Sequence, residues 1–304
     1  MGERGAGGDF VAELKRSPVV SPPATVISRL GSFFRPPTGN PRTTTDDWTL
    51  TTGDWRLTTG DRRLSTVLDA LLSVAFSPAC ASCDLPLEHP TRGPVCATCW
   101  QAILPLTPPL CDCCGDPLRT WHSPIPASEP CARCRLIQPA VSRARAIGAY
   151  EGTLRGIIHA LKYDGRRSLA VPLGALLRLR GADVLSGASY AVPVPLHRRR
   201  RRERGFNQAA DLAEQLPLPV IHALRRSKAT VAQAGLPAAG RERNVRGAFV
   251  ATRAARALHG KVVVLVDDVC TTGATLDACA RVLTAVGVAD VRALTAARVV
   301  RQPR

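Results

Sequence analysis

Hydrophobic patterning along the 304-residue chain is uneven, and its clearest segment lies near the C-terminus, KVVVLVDDVCTTGATL at 261–276. Residues 261–266 are almost continuously apolar and β-branched, which predicts a strand buried on both faces of a parallel sheet. Two carboxylates follow, Asp267 and Asp268, then a loop of small residues, and a helical pattern begins at Leu276. Ligands of open α/β sheets bind where strands end and helices begin. Loop amides and a helix N-terminus together favour an anion. Small side chains let a phosphate approach the backbone, and threonine hydroxyls add donors. The two acids could accept hydrogen bonds from sugar hydroxyls, or bind magnesium directly or through water.

The same reading places the other elements. Residues 64–76, LSTVLDALLSVAF, have helical spacing and predict a short amphipathic helix. The stretch 149–163 begins extended and becomes a helix whose apolar stripe is Leu154, Ile157, Ile158 and Leu161. Lys162 reads either as a cation at that helix's C-terminus or as a phosphate-facing lysine. A second helix is expected over 169–180, and a strand over 189–195 that stops at its prolines. A loop, LHRRRRRERGFNQ, follows, with six arginines and one glutamate over 198–204. Gly205 suits a tight turn and Asn207 a cap for a helix over 207–216, making a second anion site. Arg204 and Gly205, set against the helix start, are better site candidates than Arg199 or Arg200; the alternative is a solvated basic patch that touches nucleic acid non-specifically. A short strand is expected over 218–224, then a long polar loop to about 249 in which Gln233, Arg241 and Asn244 stand out. A helix over 276–286, ended by Gly287, and a strand over 290–299 complete an α/β pattern, with Cys279 as a core thiol.

Composition changes this picture at the N-terminal side. Residues 1–63 are rich in Pro, Gly, Thr and Arg and contain a seven-residue repeat (TTTDDWTL, TTGDWRL, TTGDRRL) that cannot bury a continuous face. Two readings stand: a disordered low-complexity tail, or a start codon assigned too far upstream, with translation beginning near Val67. Net charge is +17, which favours anionic partners without distinguishing metabolites from nucleic acid. No apolar run reaches a membrane span and the N-terminus lacks a signal-peptide core, so a cytoplasmic protein without membrane insertion is expected.

In that compartment the eleven cysteines point to metal ligation more than to disulfides. Eight form four C-x-x-C pairs: Cys80 and Cys83, Cys96 and Cys99, Cys111 and Cys114, Cys131 and Cys134. Two such pairs can surround one tetrahedral ion, so two structural zinc ions are expected. Sequential pairing is simplest, and interleaved pairing is the alternative. An iron–sulfur cluster would use the same ligands, and a single pair could be a redox dithiol. With four thiolates each, the zinc sites would be closed, and metal would supply much of the segment's folding energy. Cys113 reads as a bystander, and Asp112, His89 and His122 as solvated loop residues.

The segment 261–276 resembles the phosphoribosyl-pyrophosphate signature of type I phosphoribosyltransferases. That resemblance implies that Asp267 and Asp268 are the catalytic acids facing the ribose hydroxyls. It also implies that Cys270, Thr271, Thr272, Gly273, Ala274 and Thr275 cradle the 5′-phosphate, and that Arg204 and Gly205 face pyrophosphate. The polar loop resembles the mobile loop that closes over substrate in such enzymes. Together the cysteine module, ALKYDGR, VPVPLHRRRRRERGFNQAADLAEQL, R-x-x-N at Arg241 to Asn244 and VVVLVDDVCTTGATL resemble the ComF family of competence-associated, phosphoribosyltransferase-like proteins, over residues 80–298. The resemblance implies a type I phosphoribosyltransferase fold behind a double zinc-ribbon module. It divides the chain into a tail (1–63), a helix plus cysteine module (64–140) and a phosphoribosyltransferase-like domain (141–304).

Three functions are compatible with these residues. The first is an enzyme that binds phosphoribosyl pyrophosphate with magnesium and transfers the phosphoribosyl group to a nitrogenous base. The second is a non-catalytic adaptor for single-stranded DNA or competence machinery proteins that reuses the phosphate pocket. Phe206 is the only aromatic residue in the arginine region, so base stacking would not dominate DNA affinity. The third is a nucleotide sensor that acts on a partner.

Overall fold

The structure is a computed structural model that describes residues 62–118, 130–227 and 247–300. Gln233, Arg241, Asn244, His122 and residues 1–61 lie outside the described residues. No helix among those described is long and apolar enough to cross a membrane.

Four parallel strands form the central sheet in the order β1 (Arg143–Ala149), β6 (Asp290–Arg298), β5 (Val262–Cys270), β2 (Tyr190–Pro193). Parallel neighbours need crossovers. They are supplied by α4 (Gly152–Tyr163), α5 (Ala170–Arg180) and α6 (Ala182–Leu185) before β2, by α7 (Arg198–Arg204) and α8 (Gln208–Ala213) after it, and by α9 (Ala274–Ala285) between β5 and β6. The β1-to-β2 connection carries the chain to the far edge. Later strands fill inward, β5 beside β2 and β6 between β5 and β1, and the chain leaves β5 at its carboxyl end for α9.

The continuous apolar run of β5 is explained by two packed layers. Val264 and Val266 join Leu154, Ile157, Ile158, Leu161, Leu173 and Leu212 on the α4–α5–α8 side. Val263 and Leu265 join Leu276, Cys279, Leu283 and Phe249 on the α9 side. Burying one such side chain stabilises by roughly 1.5–3 kcal/mol, so this central strand anchors the sheet.

Several expectations are corrected. The arginine run is not a loop but the helix α7, begun by His197, whose ring accepts the Arg199 amide, and ended by Gly205 in the left-handed region. An Arg199–Glu203 pair four residues apart supports it. The strand expected over 218–224 is a single bridge, Val220 beside Ala191, followed by β3 (Leu224–Arg226). β3 pairs antiparallel with β4 (Phe249–Ala251), so the two ends of the presumed loop are strands.

The helix α1 (Arg62–Phe76) turns its polar side inward. Asp69 is buried and accepts bonds from the Thr91 amide (2.9 Å), the Thr91 hydroxyl (2.7 Å) and His89 (3.2 Å), while Val67, Leu71 and Val74 are exposed. His89 is therefore a bonded residue, and so is Asp112, which takes Arg143 and Arg145 at 3.1 and 3.3 Å. His89 precedes a short turn between the first ribbon's cysteine pairs and Asp112 lies within a knuckle, and both meet distant elements, a contact that loop polarity does not announce.

Candidate functional site: two cysteine clusters and the strand-end pocket

The cysteines pair sequentially. Cys80, Cys83, Cys96 and Cys99 form one cluster and Cys111, Cys114, Cys131 and Cys134 the other, with ligand atoms all within 4.8 Å of one another. A tetrahedral ion with metal–sulfur bonds of about 2.3 Å has sulfur–sulfur edges of about 3.8 Å. Cys83 and Cys96 lie 3.9 Å apart and Cys114 and Cys131 3.8 Å apart, which fits. Backbone N–H groups also point at the sulfurs, from Cys96 to Cys80 (3.4 Å) and from Cys131 to Cys111 (3.2 Å), an arrangement suited to thiolates. Cys113 stands aside with its thiol on the Val141 carbonyl at 3.2 Å. Both second pairs open short helices, α2 (Ala97–Gln101) after Cys96 and α3 (Ala132–Ile137) after Cys131.

The second centre of interest is the carboxyl end of β5. Asp268 continues the side of Val264 and Val266, and Asp267 the side of Val263 and Leu265, because successive strand residues face opposite ways. Asp268 is 6% exposed, bonded to Lys162 Nζ at 2.8 Å and to the Gln208 side-chain amide. Lys162 sits in the last turn of α4, as one reading of it expected, and its half-buried side chain reaches β5 as the partner of Asp268. Burial disfavours its charge, but Asp268 outweighs this and its pKa is raised. Asp267, half-buried, accepts the Asp268 amide at 2.8 Å. Desolvation first, and the Asp268 carboxylate second, push its pKa up to about 7.

Beyond the acids the chain turns at Gly273, whose φ of 80° favours glycine and whose missing side chain leaves open space. Thr272 caps the turn, its hydroxyl accepting the Ala274 amide at 3.2 Å. Thr271, Gly273 and Thr275 line a small cup with Asp267, at the start of α9. Cys270, the last residue of the strand, also borders the cup, and its buried sulfur accepts Arg298 Nη1 at 3.1 Å. Across the mouth, Arg204 lies over the Tyr163 ring at 4.9 Å. Arg167 makes a two-pronged bond to Asp211, both prongs 2.8 Å.

Sequence reasoning missed Gln208, Arg226, Arg133 and Arg298 as neighbours of this pocket. Gln208 carried a faint signal, a polar side chain at the start of a helix whose other members are all buried. Arg226 gave none, because it lay in the presumed loop. It packs over Phe249 at 5.4 Å, and burial, then Arg200, holds its pKa below the usual guanidinium value. Its charge acts on Asp267.

Comparison with known proteins agrees with both halves. Residues 71–135 match the double zinc ribbon domain family and residues 202–303 the phosphoribosyl transferase domain family. DNA utilization protein YhgH of Escherichia coli is 34% identical over 223 residues, covering 70% of this chain and 93% of that protein. Competence protein F of Haemophilus influenzae is 30% identical over 220 residues, covering 69% and 93%. Competence protein ComFC of Bacillus subtilis is 29% identical over 191 residues, covering 62% and 77%.

Proposed function

The chain belongs to the ComF family of competence-associated, phosphoribosyltransferase-like proteins, and we propose that it binds phosphoribosyl pyrophosphate or a nucleotide at the carboxyl end of β5 and serves DNA uptake. The observation that carries this reading is the loop 271–275, which opens α9 directly beyond two carboxylates, one of them held by Lys162 and Gln208. In this reading the 5′-phosphate lies against the loop amides and the Thr271 and Thr275 hydroxyls, with the ribose hydroxyls toward Asp267. Gln208 Oε1 is buried with no hydrogen-bond partner among the described residues, so the site can take one further donor, such as a hydroxyl or a metal-bound water.

Asp267 is the carboxylate available to magnesium, which when bound offsets diphosphate charge. Asp268, held by Lys162 and Gln208, fixes α4 and α8 under the strand end. The arginines of α7 and the guanidinium of Arg226 supply positive potential on the diphosphate side. If transfer occurs, the C1–oxygen bond breaks, diphosphate leaves with the electron pair, and a base nitrogen takes C1. Catalysis would then be positioning and electrostatics without a covalent nucleophile. The division near residue 140 into a metal-binding module and a transferase-like domain belongs to the same proposal.

Titration of the metal-loaded chain with phosphoribosyl pyrophosphate and magnesium tests this. Saturable binding should be weakened about tenfold or more by Asp267→Asn; unchanged affinity would sink the ribose site. A second reading, contact with single-stranded DNA, draws on the exposed arginines Arg198, Arg199, Arg201 and Arg202 of α7. DNA affinity falling steeply with salt and surviving Asp267→Asn would favour it.

A further inference from the structure

We propose that Arg133 and the Asp116–Arg298 pair are positioning residues that hold the phosphate loop in shape from the second cysteine cluster, so that this metal centre, and not the first, sets the loop. Three contacts carry the inference, and they fall in turn on the strand end, the loop and the first turn of the helix that follows. Arg298, 4% exposed, bonds Asp116 and reaches the Cys270 sulfur at the strand end. Arg133 Nη2 donates to the Thr272 carbonyl at 2.7 Å, in the loop itself. The Ala140 amide, just beyond α3, donates to Asp277 at 2.8 Å, in the first turn of α9.

The middle contact has the most direct consequence. In a trans peptide the carbonyl and the following N–H point opposite ways. Arg133 holds the Thr272 carbonyl on the ribbon side, which turns the N–H of Gly273, a residue that borders the cup, away from the ribbon. Releasing the carbonyl frees that peptide plane to rotate, most easily at a glycine.

Metal ligation places these side chains. Arg133 sits between the ligands Cys131 and Cys134 on α3, and Asp116 lies two residues past Cys114 in a knuckle closed by the Cys111 amide on the Asp116 carbonyl at 2.8 Å. The turn is seated on β1 at Gly115, where a Cβ would come within 2.5 Å of the Ala144 carbonyl. Between the ribbon and the loop lies a cavity of about 540 Å³, bordered by Cys134, Arg133, Thr272, Gly273, Leu276 and Arg298. Polar tethers therefore carry the connection across a gap that continuous side-chain packing does not fill. The first ribbon's ties go elsewhere: Ser82 to the Thr153 carbonyl in α4, and the Ala79 carbonyl to Arg166.

The experiment uses the full metal-loaded chain, with Arg133→Met and Asp116→Asn against the first-ribbon controls Ser82→Ala and Arg166→Met. Metal content, thermal midpoint, amide exchange over 270–277 and affinity for inorganic phosphate are measured together. Expected for Arg133→Met are two retained metal equivalents, an unchanged midpoint, amide exchange in the loop about tenfold faster and phosphate affinity about tenfold weaker, with partial rescue by Arg133→Lys. Asp116→Asn should show the same loop effect, and the controls should not. Loop exchange equal to wild type in both second-ribbon variants overturns the proposal. The inference about positioning uses the phosphate reading only for the affinity arm. A wild type that binds no phosphate, with loop exchange still quickened by Arg133→Met, refutes that reading and keeps this one.

Discussion

The two ribbons have nearly the same ligand pattern and meet the rest of the molecule differently. The first has twelve residues between its pairs and the second sixteen. The first ribbon is joined by packing: Cys80, Leu87, Val95 and Cys99 belong to the same apolar cluster as Leu154, Ile157 and Ile158. It also adds a bridge to β1, Pro105 beside Gly148. The second ribbon is joined by ion pairs and single hydrogen bonds around a cavity. Identical coordination chemistry thus serves two ends. One ribbon extends the core beneath α4, the helix that carries Lys162 to Asp268, and the other braces the loop beyond the acids.

The largest expected effect comes from removing a ligand on either side. Cys99→Ser and Cys134→Ser should each release one of two metal equivalents by metal analysis. Cys99→Ser should lower the denaturation midpoint more, since its cluster is continuous with the main core; a structural zinc site binds with on the order of 10 kcal/mol. Equal losses would erase the contrast between packed and tethered ribbons. Next in size is Lys162→Met, which leaves Asp268 buried without its cation and should cost about 3–5 kcal/mol in urea titration, partly restored by adding Asp268→Asn.

Smaller still is a matched pair of core truncations. Leu87→Ala in the first ribbon, at 6% exposure, should cost about 2–4 kcal/mol, whereas Ile137→Ala beside the second cluster, at 44%, should cost under about 1 kcal/mol. A pH series serves as a control on both ribbons. The folded pKa of Asp267 lies near 7, above its ordinary value of 3.8, so the folded state holds a proton that the unfolded chain has released. Stability should therefore fall as pH rises from about 4 to 7 and level off beyond. Asp267→Asn should remove that slope, and Arg133→Met should leave it in place, because Asp268, Lys162 and Arg226 act on this group from the sheet domain.

Much of the fold was legible because its signals are local. A β-branched run surrounded by turn residues must be a buried strand, and C-x-x-C spacing brings two sulfurs to one point whatever follows. The caps at Asn207 and Gly287 could be read one residue at a time. The arginine run misled because its side chains suggest solvent and repulsion, while its backbone is helical, started by His197 and stopped by Gly205. The ends of the polar loop misled because β3 and β4 are short and, among the described residues, pair with each other and no other strand.

By itself, then, the sequence determined the strand, the acid pair, the small-residue turn and the eight metal ligands, since each is set by neighbours a few positions away. Only the tertiary structure decided that Asp267 and Asp268 part company, one toward the cup and one into a buried pair with Lys162, 106 residues earlier. It alone decided that Arg133 would reach Thr272 across 139 positions and Asp116 would meet Arg298 across 182. The physical reason is that a carboxylate's role depends on the charge and burial around it, and those are supplied by segments whose approach no local spacing encodes.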